Sequence, residues 1–405
     1  MPKKDNKKIL FFVIDGLADD KILELNNRTP LQAADTPAFD NLAQNGLCGL
    51  VKPYLLPTEK LPNSDVCHLA LFGYDPKKYY LGRGVYEAVG AGIKLKKGDI
   101  ALRMNFATVN ENMEIIDRRA QRIDKTEGLF KSLEKIKIKG AKIILKKTYG
   151  HRGVLVLRPS RGVKLSHHIT GNDNKKLNVK VQEIKPTDNK KESLTTANIL
   201  NEFLEKAHEV LKNHVVNRKR EKEGMFPANY ILVRGAGIIK KQKSFYEKYK
   251  LKACCVAGGN LYRGIAKFLG MDLISVKGAN GLPNTNLRGK FKAVKNSLEK
   301  YDFVFLHIKA PDSFAEDGDF ISKRKFIEKI DKEFSYILPL PNTKIIVTGD
   351  HATCSKIKSH CLNYVPLLFY NGVDKDDVRK FYEEACSQGK LGLMNQLDVI
   401  KLVLK

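Results

Sequence analysis

The stretch Ile9-Leu-Phe-Phe-Val-Ile14 is a run of six apolar residues, and Asp15-Gly16 follows it directly. A strand that is apolar on both faces is typical of a parallel sheet with helices packed against both sides. Runs of the same kind recur further along the chain, with helical patterns between them, at 230–233, 303–308, 344–348 and 365–370. This alternation of strands and helices indicates an α/β fold with a mostly parallel sheet flanked by helices.

The middle of the chain has a different character. Residues 110–220 are richer in lysine and contain short alternating segments and polar loops, and a long helical pattern at 193–211 ends the section. We therefore expect two domains, which also suits a chain of 405 residues. The core would consist of residues 1–109 and 221–405, and residues 110–220 would form a smaller α+β domain inserted into it.

The composition is that of a globular protein with a basic surface. Hydrophobic residues make up 42% of the chain and charged residues 29%, and 72 Lys and Arg against 45 Asp and Glu give a net charge of +27. Such a charge fits a solvated lysine-rich surface, the steering of an anionic substrate, or nucleic-acid binding. Because the lysines are spread along the chain, a solvated surface is the first expectation and a nucleic-acid partner the last.

Seven cysteines occur without a Cys-x-x-Cys motif, which is typical of reduced thiols in a reducing compartment. The first residues are polar, and no apolar span of 18 residues is present. The sequence therefore predicts a soluble, cytoplasmic protein with no membrane partner. It leaves the oligomeric state open.

Ionisable residues follow three of the apolar runs. Asp15 comes directly after the first, Asp312 follows the run at 303–308, and Asp350-His351 follows the run at 344–348. Ligands collect at the carboxyl ends of strands in open parallel sheets. Carboxylates together with imidazole suit Zn²⁺ or Mn²⁺. For any single aspartate, capping of the following helix is an equally good explanation, but three such ends favour a metal site.

Ser64 lies in the stretch Leu61-Pro-Asn-Ser-Asp-Val-Cys-His68, at the predicted start of a helix. Free N–H groups and the positive end of the helix favour an anion there, such as a phosphoryl group. On spacing alone, a plain N-cap serine is the simpler interpretation. Arg83 lies in the glycine-rich stretch that follows, where a guanidinium can bind phosphate or carboxylate.

Four blocks of sequence together resemble a known family. They are residues 13–18, 62–92, 264–271 and 348–351, and lesser matches between them extend the likeness over nearly the whole chain. The chain resembles the archaeal-type cofactor-independent (2,3-bisphosphoglycerate-independent) phosphoglycerate mutases of the alkaline phosphatase superfamily. The resemblance implies an alkaline-phosphatase-like core and an isomerase of glycolysis and gluconeogenesis. Such an enzyme interconverts 3-phosphoglycerate and 2-phosphoglycerate through a phosphoserine intermediate, and its inserted domain would exclude water.

The resemblance also implies roles for individual residues. Ser64 matches the nucleophile, which also lies beside a metal ion. Two divalent cations are implied, with Mn²⁺ expected first and Zn²⁺, Mg²⁺ or Co²⁺ as alternatives. The matching ligands are Asp15, Ser64, Asp350 and His351 at one site, and Asp312, Glu316 and His360 at the other. Residues in stretches that could bind the substrate's phosphate and carboxylate are Arg83, His151, Arg152, Arg220, Arg234 and Lys309.

The chain departs from the family pattern at the second of these metal sites. Glu316 stands where the family has a histidine. A carboxylate can still ligate a metal, but it is a harder ligand and brings a negative charge. Three interpretations follow: a working mutase, a related phosphatase or homoserine-kinase-like phosphotransferase, and a drifted family member with a binding role.

Overall fold

The computed structural model describes residues 7–174 and 176–404, and the chain divides into two compact units. The larger unit comprises the chain up to Tyr80 and from Gln242 onward, and the smaller unit is Leu81–Lys241. These bounds differ from the expected insert at 110–220, because strands on either side of that range pair within the smaller unit's sheet. In the described part of the chain, no helix is long and apolar enough to cross a membrane.

The described residues contain fifteen strands, fifteen α-helices and four 3₁₀ turns. The strands β1–β15 are Lys8–Ile14, Leu47–Lys52, Ile100–Val109, Ile115–Asp117, Ala141–Tyr149, Arg152–Pro159, Tyr230–Ile238, Ala253–Val256, Asp272–Leu273, Phe303–Ile308, Thr343–Thr348, Ala352–Cys354, Ser359–Cys361, Val365–Tyr370 and Gly392–Asn395. The helices α1–α15 are Pro30–Ala33, Pro37–Gln44, Ser64–Leu71, Pro76–Tyr79, Arg83–Gly90, Glu127–Leu133, Lys191–Lys212, Val215–Lys222, Phe245–Tyr249, Asn260–Phe268, Leu287–Leu298, Ala310–Asp317, Phe320–Ser335, Glu383–Cys386 and Lys401–Leu404. The 3₁₀ turns are Leu23–Leu25, Ala120–Arg122, Ser355–Ile357 and Gln396–Asp398.

The larger unit is built on an eight-stranded sheet in the order β15-β2-β14-β11-β1-β10-β8-β9. The first strand, β1, lies between β11 and β10 and is parallel to both. Among the described strands of this sheet, antiparallel pairing occurs only where β14 meets β11 and β2. The predicted α/β fold with a mostly parallel sheet is therefore confirmed.

Helices cover both faces of β1, as its continuous apolar sequence requires. On one face Phe12 packs against Phe39 of α2, Phe291 of α11 and Phe334 of α13, with ring centroids 5.6 to 6.2 Å apart. On the other face Phe11 packs against Phe72, which follows α3, at 5.9 Å. Burial of these rings fixes the strand in the middle of the unit.

The register of the parallel strands brings three strand ends to one edge of the sheet. Val13 of β1 is paired with Thr348 of β11, and Ile14 with Ile308 of β10. Residues that follow these strands therefore meet at the same edge. Asp15 follows β1 there, and Asp350 follows β11.

The smaller unit is an antiparallel sheet in which β3 pairs with β4, β6 and β7, and β5 pairs with β6. Helix α7 packs its apolar stripe into the core of this unit, with buried residues spaced three or four apart. The expectation that the run at 230–233 joins the parallel sheet is wrong, because this run belongs to β7. An apolar run fits any strand that is covered on both faces, so it does not identify the sheet.

The expectation that all seven cysteines are thiols is wrong for one pair. Cys354 and Cys361 form a disulfide, with their Cα atoms 5.9 Å apart. They lie on β12 and β13, and the hairpin of these two strands brings residues seven positions apart together. The other five cysteines are buried free thiols.

Candidate active site

The residues at the common edge of the larger unit's sheet form two groups of metal-ligating side chains. Potential ligand atoms within each group lie within 4.8 Å of one another. Group one is Asp15, Asp350 and His351, and group two is Asp312, His360 and the same His351. The parallel register brings the three aspartates together, since each follows a different strand, and the hairpin of β12 and β13 adds His360.

Ser64 lies beside group one. Its Oγ atom is 3.0 Å from His351 Nε2, which in turn is 3.3 Å from Asp350 Oδ2 and 3.6 Å from Asp15 Oδ1. Ser64 is the first residue of α3, and the N-cap position is Asn63. The simpler interpretation of Ser64 as a helix cap therefore does not hold. The side chain is instead 4% exposed at the N-terminus of a helix, next to the imidazole and the two carboxylates.

Group one is suited to a cation because its carboxylates are buried and incompletely satisfied. Neither Asp15 Oδ1 nor Asp350 Oδ2 accepts a hydrogen bond from the described residues. Burial, followed by the negative charge of Asp15, raises the pKa of the Asp350 carboxyl to about 7. A buried carboxylate oxygen that accepts no hydrogen bond is costly in a protein interior. The donor set of two carboxylates, an imidazole and a hydroxyl fits a divalent cation.

The second oxygen of Asp15 is held by other groups. Asp15 Oδ2 accepts hydrogen bonds from the Tyr262 hydroxyl and from Lys309 Nζ, and His307 Nε2 lies 3.4 Å away. The Tyr262 and His307 rings are stacked with their centroids 3.4 Å apart. Burial raises the pKa of the Asp15 carboxyl, but Lys309 and the two neighbouring histidines outweigh it, so the pKa lies well below its usual range.

Tyr262 and His307 were not identified from the sequence. One is an aromatic residue on the buried face of α10, and the other lies inside the apolar strand β10, so both have the pattern of core residues. His68, on α3, closes the same cluster: it donates a hydrogen bond to the Ser64 carbonyl, and its ring centroid lies 4.9 Å from that of Tyr262.

Group two is organised by hydrogen bonds that orient each ligand. The Thr353 hydroxyl donates to Asp312 Oδ1 over 2.7 Å, and Lys309 Nζ donates to Asp312 Oδ2 over the same distance. His360 Nδ1 lies 2.7 Å from the Pro62 carbonyl, which can only accept. The proton of His360 is therefore on Nδ1, which leaves the lone pair of Nε2 facing Asp312 Oδ1 at 3.6 Å.

Glu316, the predicted third ligand of this site, is not a member of either group. It lies on α12 one turn after Asp312 and is half-buried. Burial lowers the pKa of the Lys309 ammonium, but Asp15 and Asp312, with a smaller contribution from Glu316, raise it well above its usual value. In this arrangement the charge of Glu316 acts on Lys309.

Four arginines cluster in the smaller unit. They come from α5, β3, β6 and β7, and are Arg83, Arg103, Arg152 and Arg234. Glu87 is the acidic neighbour of two of them, with its Oε1 atom 3.4 Å from Arg83 Nε and 3.7 Å from Arg103 Nη1. Asp173 binds Arg118 at 2.7 Å and lies 3.6 Å from Arg234 Nε.

The charges of this arginine cluster repel one another, and several of its buried polar atoms lack a hydrogen-bond partner among the described residues. Burial and the charges of the other three arginines lower the pKa of Arg103 well below its usual value. Burial and the charge of Arg152 lower the pKa of His151 to about 2, so this imidazole is neutral. Buried polar atoms of the cluster form no hydrogen bonds among the described residues, namely Arg103 Nε, Asn105 Oδ1 and both ring nitrogens of His151. An anionic ligand would satisfy the donors and offset the repulsion.

Two of the predicted substrate-binding residues, Arg220 and Lys309, lie outside the arginine cluster. Arg220, on α8, donates to the Phe226 and Ala120 carbonyls at 2.8 and 3.2 Å, and therefore supports its own loop. Lys309 lies in the larger unit, at the two ligand groups. Arg103 was missed from the sequence, although an arginine inside an otherwise apolar strand could have drawn attention to it.

The chain is similar in sequence to a group of archaeal enzymes. The profile of the family described as 2,3-bisphosphoglycerate-independent phosphoglycerate mutase matches residues 43–217. The enzyme named 2,3-bisphosphoglycerate-independent phosphoglycerate mutase 1 of Methanocaldococcus jannaschii is 42% identical over 403 residues, which cover 98% of this chain and 96% of that protein. The enzyme of the same name from Archaeoglobus fulgidus is 41% identical over 404 residues, covering 98% and 97%.

Two solved structures are similar over nearly their full length. A protein of Pyrococcus horikoshii has a TM-score of 0.83 and 34% identity, with 98% of each chain covered. The cofactor-independent phosphoglycerate mutase of Thermoplasma acidophilum has a TM-score of 0.66 and 34% identity, with 98% of this chain and 99% of that chain covered.

Proposed function

The chain belongs to the family of 2,3-bisphosphoglycerate-independent phosphoglycerate mutases, and from this premise we propose that it interconverts 3-phosphoglycerate and 2-phosphoglycerate with Ser64 as the nucleophile. One observation carries the assignment of Ser64. Its Oγ atom lies 3.0 Å from His351 Nε2, beside two buried carboxylate oxygens that accept no hydrogen bond from the described residues. A serine in that setting is placed to react, because a cation held there would stabilise its alkoxide.

We propose that the two ligand groups hold two divalent cations. Asp15, Asp350 and His351 would hold one ion together with Ser64, and Asp312 and His360 would ligate the other. Mn²⁺ is the first choice, with Zn²⁺, Mg²⁺ or Co²⁺ as alternatives, and a ligand role for Glu316 stays a prediction. The bound ions would supply positive charge to the attacking and leaving oxygens of an in-line displacement.

Ser64 carries the phosphoryl group between the two positions of glycerate. In the first half-reaction Ser64 Oγ gives up its proton and forms a bond to phosphorus while the bond from phosphorus to the 3-oxygen breaks, and that oxygen gains a proton. In the second, the 2-oxygen of glycerate loses its proton and forms a bond to phosphorus while the bond from phosphorus to Ser64 Oγ breaks, and Oγ regains a proton. The N-terminus of α3 favours the negative charge that Ser64 gains, and Lys309 adds an ammonium group that is bound to Asp15 and Asp312.

The arginine cluster of the smaller unit is the proposed binding site for anionic groups of phosphoglycerate. Arg83, Arg103, Arg152 and Arg234 present guanidinium groups suited to bidentate binding of phosphate or carboxylate. His151 is neutral and can donate one hydrogen bond without adding to the repulsion. The interconversion of phosphoglycerates belongs to glycolysis and gluconeogenesis. Because phosphoglycerate is a small metabolite of these pathways, we infer a cytoplasmic enzyme.

The activity can be tested by following both products of the reaction. The full chain loaded with Mn²⁺ is mixed with 3-phosphoglycerate, and 2-phosphoglycerate and inorganic phosphate are measured separately. We expect 2-phosphoglycerate to form with little release of phosphate. Ser64→Ala should abolish the reaction, whereas Ser335→Ala, at an exposed serine of α13, should leave it unchanged.

The other outcomes separate the alternatives. Release of phosphate without 2-phosphoglycerate would support a related phosphatase and contradict the mutase. Absence of both products, with metal bound, would support a binding role. Full activity of Ser64→Ala would remove Ser64 from the mechanism.

A further inference from the structure

The hairpin of β12 and β13 carries a ligand of group two and the residue that orients another. Thr353 on β12 is directly opposite His360 on β13. The hydroxyl of Thr353 donates to Asp312 Oδ1 over 2.7 Å, and His360 Nε2 lies 3.6 Å from the same oxygen. The position of His360 relative to Asp312 therefore depends on how β13 is held against β12.

Strand β12 is held by hydrogen bonds to several other segments, and His360 of β13 donates from Nδ1 to the Pro62 carbonyl. On β12 the Thr353 N–H donates to the Ala18 carbonyl, and its own carbonyl accepts from Lys323 Nζ, each over 3.0 Å. Ser355, directly after β12, donates to Asp19 from both its N–H and its hydroxyl. Each strand is only three residues long, and a short two-stranded ribbon is marginally stable by itself.

The disulfide joins the two strands on the face opposite the ligands. Side chains alternate along a strand, so neighbours of the pair Thr353 and His360 point the other way. Cys354 and Cys361 are such neighbours, and both belong to the buried core of the larger unit. Cys361 follows His360 directly, so the bond ties the ligand-bearing strand to β12 at the next residue.

We propose that the Cys354–Cys361 disulfide is a positioning element for His360, and that group two binds its divalent cation tightly only while this bond is intact. The inference rests on the two ligand groups of the proposed function. The ligands of group one lie outside β13, because Asp15 and Asp350 follow β1 and β11, and His351 precedes β12. The contact of this group with β13 is the stacking of the His351 ring on that of His360, with centroids 3.9 Å apart. Cleavage of the disulfide should therefore weaken one cation site and spare the other.

Metal binding by the full chain in its two redox states tests this inference. The disulfide is reduced with a trialkylphosphine. Phosphorus donates two electrons to the disulfide and takes an oxygen atom from water, so the products are two thiols and a phosphine oxide. Reduction is followed by alkylation and mass spectrometry. Calorimetric titration of the metal-free protein with Mn²⁺ should show two sites before reduction, and at least tenfold weaker binding at one of them afterwards.

Paired variants separate loss of the bond from side effects of the reagent. Cys354→Ala/Cys361→Ala should bind Mn²⁺ as the reduced protein does, and the phosphine should then have no effect. The matched control is Cys48→Ala/Cys386→Ala, since these two thiols are buried neighbours that form no covalent bond. This control should keep both sites and the response to the phosphine.

Three results would overturn the inference. Alkylation of Cys354 and Cys361 in the unreduced protein would show that the bond is absent. Equal two-site binding by the parent, the reduced protein and the Cys354→Ala/Cys361→Ala variant would show that the bond does not position His360. Weakening of both sites to the same extent would show a general structural effect. Failure of the parent to bind any Mn²⁺ in either state would instead contradict the proposed function itself.

Discussion

The two carboxylate oxygens of Asp15 have different neighbours. Its Oδ2 atom accepts from the Tyr262 hydroxyl and from Lys309, while Oδ1 accepts no hydrogen bond from the described residues and faces His351. Groups that hold one oxygen of a ligating carboxylate fix the direction of the other. Tyr262 is thus a positioning residue for group one.

Removing the Tyr262 hydroxyl should weaken metal binding by group one without leaving a cavity in the core. Tyr262→Phe keeps the ring stacked on His307 but loses the hydrogen bond to Asp15, so we expect roughly tenfold weaker Mn²⁺ binding at one site. Calorimetric titration of the metal-free protein measures this. Tyr74→Phe is the matched control, because the Tyr74 hydroxyl is buried and forms no hydrogen bond among the described residues. Equal affinity in both variants would contradict a positioning role.

His151 gives the protein a specific sensitivity to acid. Its pKa in the folded state is about 2, against 6.5 ordinarily, because burial and the neighbouring arginines disfavour its charged form. The unfolded chain binds the extra proton, so the contribution of His151 to stability is complete above pH 6.5 and is lost as the pH falls. At pH 5.5 the loss amounts to about 1 kcal/mol relative to pH 7.5.

Replacing His151 by glutamine should remove this part of the pH dependence. Urea unfolding of the parent and of His151→Gln at pH 7.5 and 5.5 would measure it. We expect the parent to lose about 1 kcal/mol more than the variant between these values. Equal losses would show that His151 takes up its proton in the folded state as well.

The hairpin that carries His360 is supported by a buried ion pair between α13 and the loop after β1. Lys323 Nζ lies 2.9 Å from Asp19 Oδ2, and both side chains are completely buried. Lys323 also donates to the carbonyls of Ala18 and Thr353, and Asp19 accepts from Ser355. The pair therefore connects one helix to both segments that position the metal ligands.

Breaking this pair should cost far more than an ordinary lysine substitution. Lys323→Met leaves the Asp19 carboxylate buried without a cation, and we expect the free energy of unfolding to fall by about 3 kcal/mol. Lys325→Met, at an exposed position of the same helix, should change it by less than about 0.5 kcal/mol. Urea unfolding measures both, and similar small effects would show that the pair contributes little.

Helices and strands were predictable from the sequence where the pattern of apolar residues is sufficient to identify them. The helical pattern at 287–298 coincides with α11, and the run at 303–308 with β10. The run at 230–233 was recognised as a strand but placed in the wrong sheet, since its apolar residues would suit either unit. The pairing of β3 with β7 was not foreseeable, because it joins segments far apart in the chain, and the disulfide was not, because the two three-residue strands of its hairpin are too short to show a pattern.

For the chain as a whole, the ligands of group one were easier to predict from the sequence than the residues that position ligands or bind anions. Asp15, Asp350 and His351 could be grouped in advance because residues after parallel strands meet at one edge. Ser64 needed the resemblance to the family, since a serine at a helix start is more often a cap. Tyr262 and Arg103 were missed, because a buried hydroxyl or guanidinium takes its role from partners on other elements.

The basic charge is distributed unevenly between the units. The smaller unit, residues 81–241, contains 35 Lys and Arg against 17 Asp and Glu, although it is the shorter part of the chain. This excess surrounds the arginine cluster with a positive field, which favours the approach of a small anion. The charge thus agrees with a phosphorylated metabolite as substrate.

The most direct test of the account is to find the transferred group on Ser64. The Mn²⁺-loaded chain is mixed with 3-phosphoglycerate, quenched in acid and digested with trypsin. The peptide between Lys60 and Lys77 is then examined by mass spectrometry, since Ser64 is its only serine and it contains no threonine. We predict one phosphoryl group on Ser64, absent from Ser64→Ala. Formation of 2-phosphoglycerate while this peptide stays unmodified throughout the reaction would contradict the account.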